Sequence, residues 1–254
     1  MWYNTNELFS EVKDMKKTVA ALMAAVMMVG LVGCSALGGG KFKSASNKVI
    51  NAAKKACDAE EADKKQKKEL TGDFDATDDV FEDGCYYTFD EDELEDTDFG
   101  FDDIDTDDVK NATAVVKSED GSAFVCLVIE LEDKDAAEDM FDEFMEMTED
   151  MDEKELKSAA KNSDLEYGIN DEKDDEYALM FVSDDYNMAS GFYFKLEGNI
   201  VYAVVYSGKP DTDLLDEFYD FMSQAKLQDM EDLLGSSDDD DDDDDDDDED
   251  DDED

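Results

Sequence analysis

The spacing of apolar residues predicts both strands and helices in this chain. Short apolar or alternating runs bounded by turn residues predict strands, whereas spacings of three and four predict amphipathic helices. The strands are expected at residues 84–89, 111–117, 123–132, 177–183, 189–196 and 199–207. The helices are expected at about residues 47–68, 135–148 and 212–225. The pattern therefore predicts an α+β domain.

Two tight turns favour an antiparallel sheet. Asp120 and Gly121 lie between two apolar runs, which is typical of a hairpin turn, and Gly198 lies in a similar position between the last two strands. The amphipathic helices must bury their apolar stripes against this sheet. The simplest architecture is a two-layer sandwich, with an antiparallel sheet of about five to six strands and the helices on one face.

Two parts of the chain share an order of elements. The strand at 123–132 precedes a helix with the letters MFDEFM at 140–145, and the strand at 199–207 precedes a helix with LDEFY at 215–219. The match predicts a weak internal duplication of the form ββα followed by βββα. Similar amphipathic patterning in two unrelated helices would explain the match equally well, so both interpretations stay open.

The apolar run near the N-terminus has flanks that differ from those of a core helix. Two lysines precede an apolar stretch over residues 19–32, which ends at Leu31-Val32-Gly33-Cys34. This order is typical of an export signal and not of a buried helix, and the stretch is short for a membrane span. The final cysteine makes the site resemble the lipobox of bacterial lipoproteins. The resemblance implies cleavage between Gly33 and Cys34, a lipid on Cys34, and a place on the extracytoplasmic face of the cell membrane.

The signal also sets the boundaries of the other segments. A signal begins near its own initiating methionine, and residues 1–14 do not fit this pattern. We therefore expect translation to start at Met15 and the signal peptide to end at residue 33. The alternative is that residues 1–14 are a short additional n-region. Residues 34–46 contain three consecutive glycines and are expected to form a flexible tether. A single domain with acidic loops is expected over residues 47–234, and residues 235–254 are expected to be a disordered acidic tail.

Charge is extreme and unevenly distributed. The chain has 77 acidic residues, a formal net charge of -55, and an unbroken acidic run from Asp238 to Asp254. The segment from Cys34 to Leu70 has the opposite sign, with nine lysines against five acidic residues. Its first lysines could contact anionic lipid headgroups, or the segment could be a merely solvated linker. These lysines are Lys41, Lys43 and Lys48.

The residue types that are missing exclude several chemistries. The sequence contains no histidine and no arginine, which removes imidazole bases, histidine metal ligands and guanidinium clamps for phosphate. The negative charge disfavours nucleic acid, because binding it requires neutralisation of phosphates. We expect no catalytic residue and no cofactor. The expected partners are the membrane, through Cys34, and cationic ligands such as divalent metal ions or basic peptides.

Two groups of carboxylates are weak candidates for calcium ligands: Asp103, Asp105 and Asp107 in one, and Asp238, Asp239 and Asp240 in the other. An EF-hand loop that began at Asp103 would need glycine at its sixth position and glutamate at its twelfth. These positions hold Asp108 and Ala114 instead. The sequence therefore predicts at most weak, rapidly exchanging cations, and a solvated run of charge is the alternative.

Three cysteines remain if Cys34 carries the lipid. Cys57 lies on a helical pattern and Cys85 begins an apolar run, so these two are candidates for a disulfide. Cys126 lies within a continuous apolar run and is expected to be a small buried hydrophobic residue. Spacing does not fix connectivity, so free thiols at Cys57 and Cys85 are the alternative.

These features favour a non-catalytic surface lipoprotein, in which a small binding or interaction domain is held by a lipid anchor and carries an acidic tail. A second interpretation is low-affinity binding or buffering of calcium and other divalent cations by the acidic loops and tail. The least favoured is a surface enzyme that uses carboxylate or lysine chemistry, because no residue pattern supports an active site of that kind.

Overall fold

The computed structural model describes residues 40–70, 79–89, 108–146, 148, 156–157, 160 and 164–234. Its helices are α1 (Gly40–Ala56), α2 (Lys64–Leu70), α3 (Lys134–Glu146), α4 (Asp213–Gln224) and α5 (Met230–Leu234), with a short 3-10 helix at Asp79–Phe81. Its strands are β1 (Glu60–Glu61), β2 (Cys85–Thr88), β3 (Val109–Glu119), β4 (Ser122–Leu131), β5 (Leu165–Lys173), β6 (Glu176–Ser183), β7 (Met188–Glu197) and β8 (Ile200–Gly208).

The eight strands of the described residues form one sheet, in the order β1-β2-β3-β4-β8-β7-β6-β5. Every neighbouring pair is antiparallel except β1 and β2, so the sheet is mixed. The α+β class holds, but the predicted five to six strands in a purely antiparallel sheet are wrong. The additional strands are the two edges. β1 has only two residues. β5 consists largely of polar residues, and most of its residues are exposed or half-buried, as is common at the edge of a sheet.

Helices cover both faces of the sheet, so the predicted two-layer sandwich with helices on one face is also wrong. On one face, α3 packs through Met140, Phe141 and Phe144. On the other, α1, α4 and α5 share a second core. The central strand β4 explains this arrangement, because all ten of its residues are buried. A continuous apolar run of this kind is typical of a strand that is covered on both sides.

The positions of α3 and α4 do not follow the symmetry that the predicted ββα/βββα duplication requires. The strands that precede these helices, β4 and β8, are antiparallel neighbours near the middle of the sheet. A two-fold axis that exchanged such neighbours would run perpendicular to the sheet, and it would place both following helices on the same face. α3 and α4 lie on opposite faces. The shared letters therefore reflect similar amphipathic patterning.

The predicted hairpin turns are confirmed. Asp120 and Gly121 have φ angles of 50° and 79° between β3 and β4, and positive φ at both central residues is what a type I′ turn requires. Gly198 has a φ of 72° between β7 and β8. These turns connect strands whose register runs without a break over most of their length.

Helix α1 begins inside the segment that the sequence predicts to be a tether. Phe42, Ala45 and Ser46 are buried, so residues 40–46 belong to the folded domain. The glycines suggest a linker, but the residues that follow them have an apolar face at helical spacing, and the sheet covers that face. The helix also ends before residue 68, because the chain turns at Asp58, where φ is 51°, and enters β1.

The small helix α5 lies directly on the backbone of β5. A Cβ atom added at Gly168 would overlap the backbone carbonyl group of Leu233. Nearby, Asn170 Nδ2 donates a hydrogen bond to Gln228 Oε1 at 2.8 Å. Met230 and Leu233 are buried against the same side of the sheet as α1. The C-terminal part of the described chain thus completes this second core over the edge strand.

Candidate interaction surface

The outer face of α1 carries only positive charge. The helix has five lysines and no acidic residue: Lys41, Lys43, Lys48, Lys54 and Lys55. Its inner face is apolar, with Phe42, Val49 and Ala53 buried against the sheet. Because the apolar positions recur at helical spacing, burial of the inner face turns the lysines outward. In a chain with a net charge of -55, this helix is a local exception.

Lys48, in the N-terminal half of α1, lies close to two lysines of other elements, Lys195 and Lys226. Lys41 Nζ lies over the turn between β7 and β8, 3.9 Å from the Cβ position that a side chain at Gly198 would occupy. Lys48 Nζ donates a hydrogen bond to the carbonyl oxygen of Lys226 at 3.3 Å and lies 5.7 Å from the centre of the Tyr202 ring. We use the name lysine cluster for five residues: Lys41, Lys43, Lys48, Lys195 and Lys226.

Lys48 is repelled by the positive charges of Lys195 and Lys226. Burial lowers the pKa of Lys48, and the charges of Lys195 and Lys226 lower it further, while Glu197 acts in the opposite direction. An anionic group placed among these ammonium groups would reduce their repulsion and favour their charged forms. The cluster is therefore electrostatically suited to an anion.

A carboxylate network borders the lysine cluster at Lys195. Glu176 accepts hydrogen bonds from Lys173 Nζ at 2.6 Å and from the Tyr193 hydroxyl at 2.8 Å, and Lys195 Nζ lies 3.9 Å from Glu176 Oε1. Burial alone would raise the pKa of Glu176, but the hydrogen bonds from Lys173 and Tyr193, together with the charges of Lys195 and Lys173, outweigh it, and the pKa is lowered. Glu176 is therefore ionised at neutral pH and partly offsets the charge of Lys195.

A second polar group lies at the C-terminal end of α1. Lys117 Nζ on β3 lies 2.6 Å from Glu217 Oε2 on α4. The nearby Cys57 thiol donates a hydrogen bond to the Ala53 carbonyl oxygen at 3.1 Å. Burial raises the pKa of Cys57 to about 11, against a smaller opposing effect of Lys117. A thiol with this pKa is protonated at neutral pH, so Cys57 is not an activated nucleophile. The ion pair between Lys117 and Glu217 connects α4 to the sheet.

Most of the predicted site residues lie outside the described residues: Gly33, Cys34, Asp103, Asp105, Asp107, Asp238, Asp239 and Asp240. The lipid anchor and the weak calcium candidates therefore stay predictions. Within the described ranges, no group of three or more cysteine, aspartate or glutamate side chains could hold a metal ion. In the same part of the chain, no helix is both long enough and apolar enough to span a membrane.

The structure gives Cys57, Cys85 and Cys126 as buried free thiols. Cys57 lies in the core on the α1 face, whereas Cys85 lies in the core on the α3 face. Burial raises the pKa of Cys85 to about 12, and Asp63 and Cys57 add to this effect. A bond between these two cysteines stays a prediction. Cys126 has no exposed surface, as expected for a small core residue.

Only part of the lysine cluster has a signal in the sequence. Lys41, Lys43 and Lys48 stand out because they follow Cys34 closely in the chain. Lys195 and Lys226 join them only through the pairing of β7 with β8 and through the return of the chain after α4. Each is an isolated lysine in its own segment, so no local pattern could have found these two.

Comparisons with known proteins add little to this description. No protein-family model and no curated protein matches the chain. Among solved structures, the chain is similar to the extracellular domain of PknH from Mycobacterium tuberculosis, with a TM-score of 0.29 and 8% sequence identity over 56% of this chain and 77% of that chain. A likeness at this level carries no argument about fold or function.

Proposed function

We propose that the protein is a non-catalytic bacterial surface lipoprotein, in which Cys34 carries the lipid and the folded domain binds a partner outside the cytoplasmic membrane. The position of α1 carries this proposal. The helix begins at Gly40, so residues 35–39 alone separate it from Cys34. Removal of residues 1–33 with the signal would take nothing from the described core, whose first residue is Phe42.

The proposed anchor is strong enough to hold the domain at a membrane. Each acyl methylene that enters the bilayer contributes about 0.8 kcal/mol, and stable attachment requires more than one acyl chain. A diacylated cysteine meets that requirement. The domain itself then needs no apolar surface for attachment, which agrees with helices that cover both faces of its sheet.

The distribution of charge supports a binding role. α3 covers the opposite face of the sheet from α1 and exposes Asp135, Asp139, Asp142 and Glu146. A cationic partner such as a basic peptide would be attracted to this side, whereas an anionic surface would be attracted to α1. The three described thiols support a non-catalytic role, because burial raises the pKa of each and none is an activated nucleophile.

Metabolic labelling with palmitate tests the anchor. The wild-type protein, expressed in a bacterial host, is expected to incorporate the label and to sediment with membranes. Cys34→Ala is expected to lose both properties. Cys57→Ala is the matched control, because it also removes one cysteine but leaves Cys34 in place. Label on Cys34→Ala, or an unlabelled and soluble wild-type protein, would contradict the proposal.

A further inference from the structure

The lysine cluster lies at the end of the domain that a lipid on Cys34 would hold nearest to the bilayer. An extended chain from Cys34 to Gly40 reaches about 20 Å at most, and Lys41 is the next residue. The first turn of α1 therefore stays in the neighbourhood of the membrane. This step rests on the proposed function, since it requires the lipid.

The acidic helices of the domain would be repelled by an anionic bilayer. α4 packs beside α1 on the same face and exposes Asp213, Asp216 and Asp220. α3, on the other face, also exposes acidic side chains. Two other groups of lysines lie elsewhere: Lys54 and Lys55 are at the far end of α1, and α2 packs through Leu70 on the opposite face of the sheet. Near the anchor, attraction is therefore concentrated at the N-terminal end of α1 and its neighbours. An anionic surface would favour the orientation in which this end faces the bilayer and the acidic helices face away.

We propose that the lysine cluster is a contact surface for anionic phospholipid headgroups, and that it orients the anchored domain on the membrane. Helical spacing places Lys41 and Lys48 on one flank of α1 and Lys43 on the other, so the surface extends across the width of the helix. Lys195 and Lys226 extend it onto β7 and the segment after α4. A headgroup phosphate beside Lys48 would reduce its repulsion from Lys195 and Lys226.

The acidic run at residues 238–254 is the competing occupant, because it is also anionic. It follows α5, which begins four residues after Lys226 and packs on β5 and β6. Lys41 and Lys43 lie on α1, which packs on β2, β3 and β4 toward the opposite edge of the sheet. The membrane, in contrast, would be attached next to Lys41. The position of the anchor therefore favours the membrane, and an experiment can distinguish the two occupants.

The test compares the reactivity of single lysines on two kinds of vesicle. The acylated full-length protein is reconstituted into phosphatidylcholine vesicles, with or without phosphatidylglycerol, and the acetylation rate of each lysine is measured by mass spectrometry. On the anionic vesicles, Lys41 and Lys43 are expected to react roughly fivefold more slowly, because a lysine near such a surface interacts with it by about 1 kcal/mol. High salt should restore the rates. Lys64, Lys65 and Lys68, exposed on α2, serve as internal controls and should not change.

A pair of charge reversals strengthens the test. In the wild type, Lys226 should also react more slowly on anionic vesicles, because it belongs to the lysine cluster and is exposed. Lys41→Glu with Lys43→Glu should abolish this slower reaction of Lys226. Lys64→Glu with Lys65→Glu changes the net charge by the same amount and should leave it intact. Glutamate is well tolerated in the first turn of a helix, so the first pair should fold.

Three other outcomes would overturn the assignment, and they can be told apart. An acylated protein whose cluster lysines react equally on both vesicles would contradict the contact surface but leave the lipid anchor standing. Slow acetylation on both vesicles that disappears after deletion of residues 238–254 would assign the surface to the acidic run. A protein without an acyl group would join neither vesicle, and both the anchor and the contact surface would be wrong.

Discussion

Ser46 and Thr113 share a hydrogen bond of 2.7 Å between their hydroxyl oxygens, at the place where α1 crosses β3. Both residues are buried, and the Thr113 hydroxyl also lies 3.0 Å from that of Thr88 on β2. Buried hydroxyl groups favour the geometry that satisfies them. This network fixes α1 over β2 and β3, so the lysines on its outer face are presented by an ordered helix.

Phe42→Ala tests whether the first turn of α1 belongs to the folded domain. Phe42 is only 4% exposed, and loss of a buried phenyl ring costs about 3–5 kcal/mol. We expect a loss of this size in the free energy of unfolding, measured by urea denaturation. Lys43→Ala, at the exposed neighbouring position, should change stability by less than about 0.5 kcal/mol. Equal stability of the two variants would indicate that the segment is a tether after all.

Gly168→Ala should destabilise the contact between β5 and α5. The added Cβ would overlap the Leu233 carbonyl group, so either the helix or the strand must move, at a cost of about 1–3 kcal/mol. Hydrogen exchange should show faster exchange in α5 together with the lower global stability. Gly40→Ala is the matched control, because nothing lies near its Cβ position. Unchanged exchange in α5 of Gly168→Ala would show that the helix does not lie on β5.

The Glu176 carboxylate should make stability depend on pH in a specific direction. Its pKa is lowered in the folded protein, so the group contributes stability above its ordinary pKa of about 4.5, and this contribution is lost as pH falls through the lower folded value. At pH 7, Glu176→Gln should cost about 1–2 kcal/mol, because hydrogen bonds to a charged group are lost.

The difference between Glu176→Gln and the wild type should shrink toward zero in acid. Glu138→Gln is the matched control, because the pair of Lys134 and Glu138 is exposed and should contribute little. Urea denaturation of the three proteins at several pH values measures both effects. A Glu176→Gln cost that stayed constant down to strongly acidic pH would show that the lowered pKa is not its origin.

The buried thiols should resist alkylation. Burial raises the pKa of Cys57 to about 11 and that of Cys85 to about 12, and the reactive form of a cysteine is the thiolate. Without reductant, the native protein should therefore react slowly with iodoacetamide at both positions and rapidly once unfolded in urea. Rapid alkylation of the native protein would contradict the described burial. Failure to alkylate even after unfolding would demonstrate a disulfide between these two cysteines.

The sequence predicts the inner elements of this fold better than its edges and layers. The turn at Asp120 and Gly121 has a local cause, so the hairpin of β3 and β4 could be recognised directly. In contrast, β5 needs α5 to cover its Gly168, and that contact is invisible in either segment alone. The continuous apolar run of β4 indicated a strand that is buried on both sides, and therefore helices on both faces of the sheet.

The candidate surface was predictable only where its residues are close in the chain. Lys41, Lys43 and Lys48 lie on one helix, and their nearness to Cys34 already suggested headgroup contact. Lys195 and Lys226 come from distant segments, and only the packing of α1 across the sheet brings them together with Lys48.

The mass of the protein isolated intact from its native membrane fraction tests the lipid anchor most directly. A mass equal to that of a chain beginning at Cys34, with acyl groups added, is the predicted result. It would establish the cleavage after Gly33 and the attachment beside α1 in one measurement. A soluble protein with the mass of an unprocessed chain beginning at Met1 or Met15 would contradict the proposed anchor and, with it, the membrane contact of the lysine cluster.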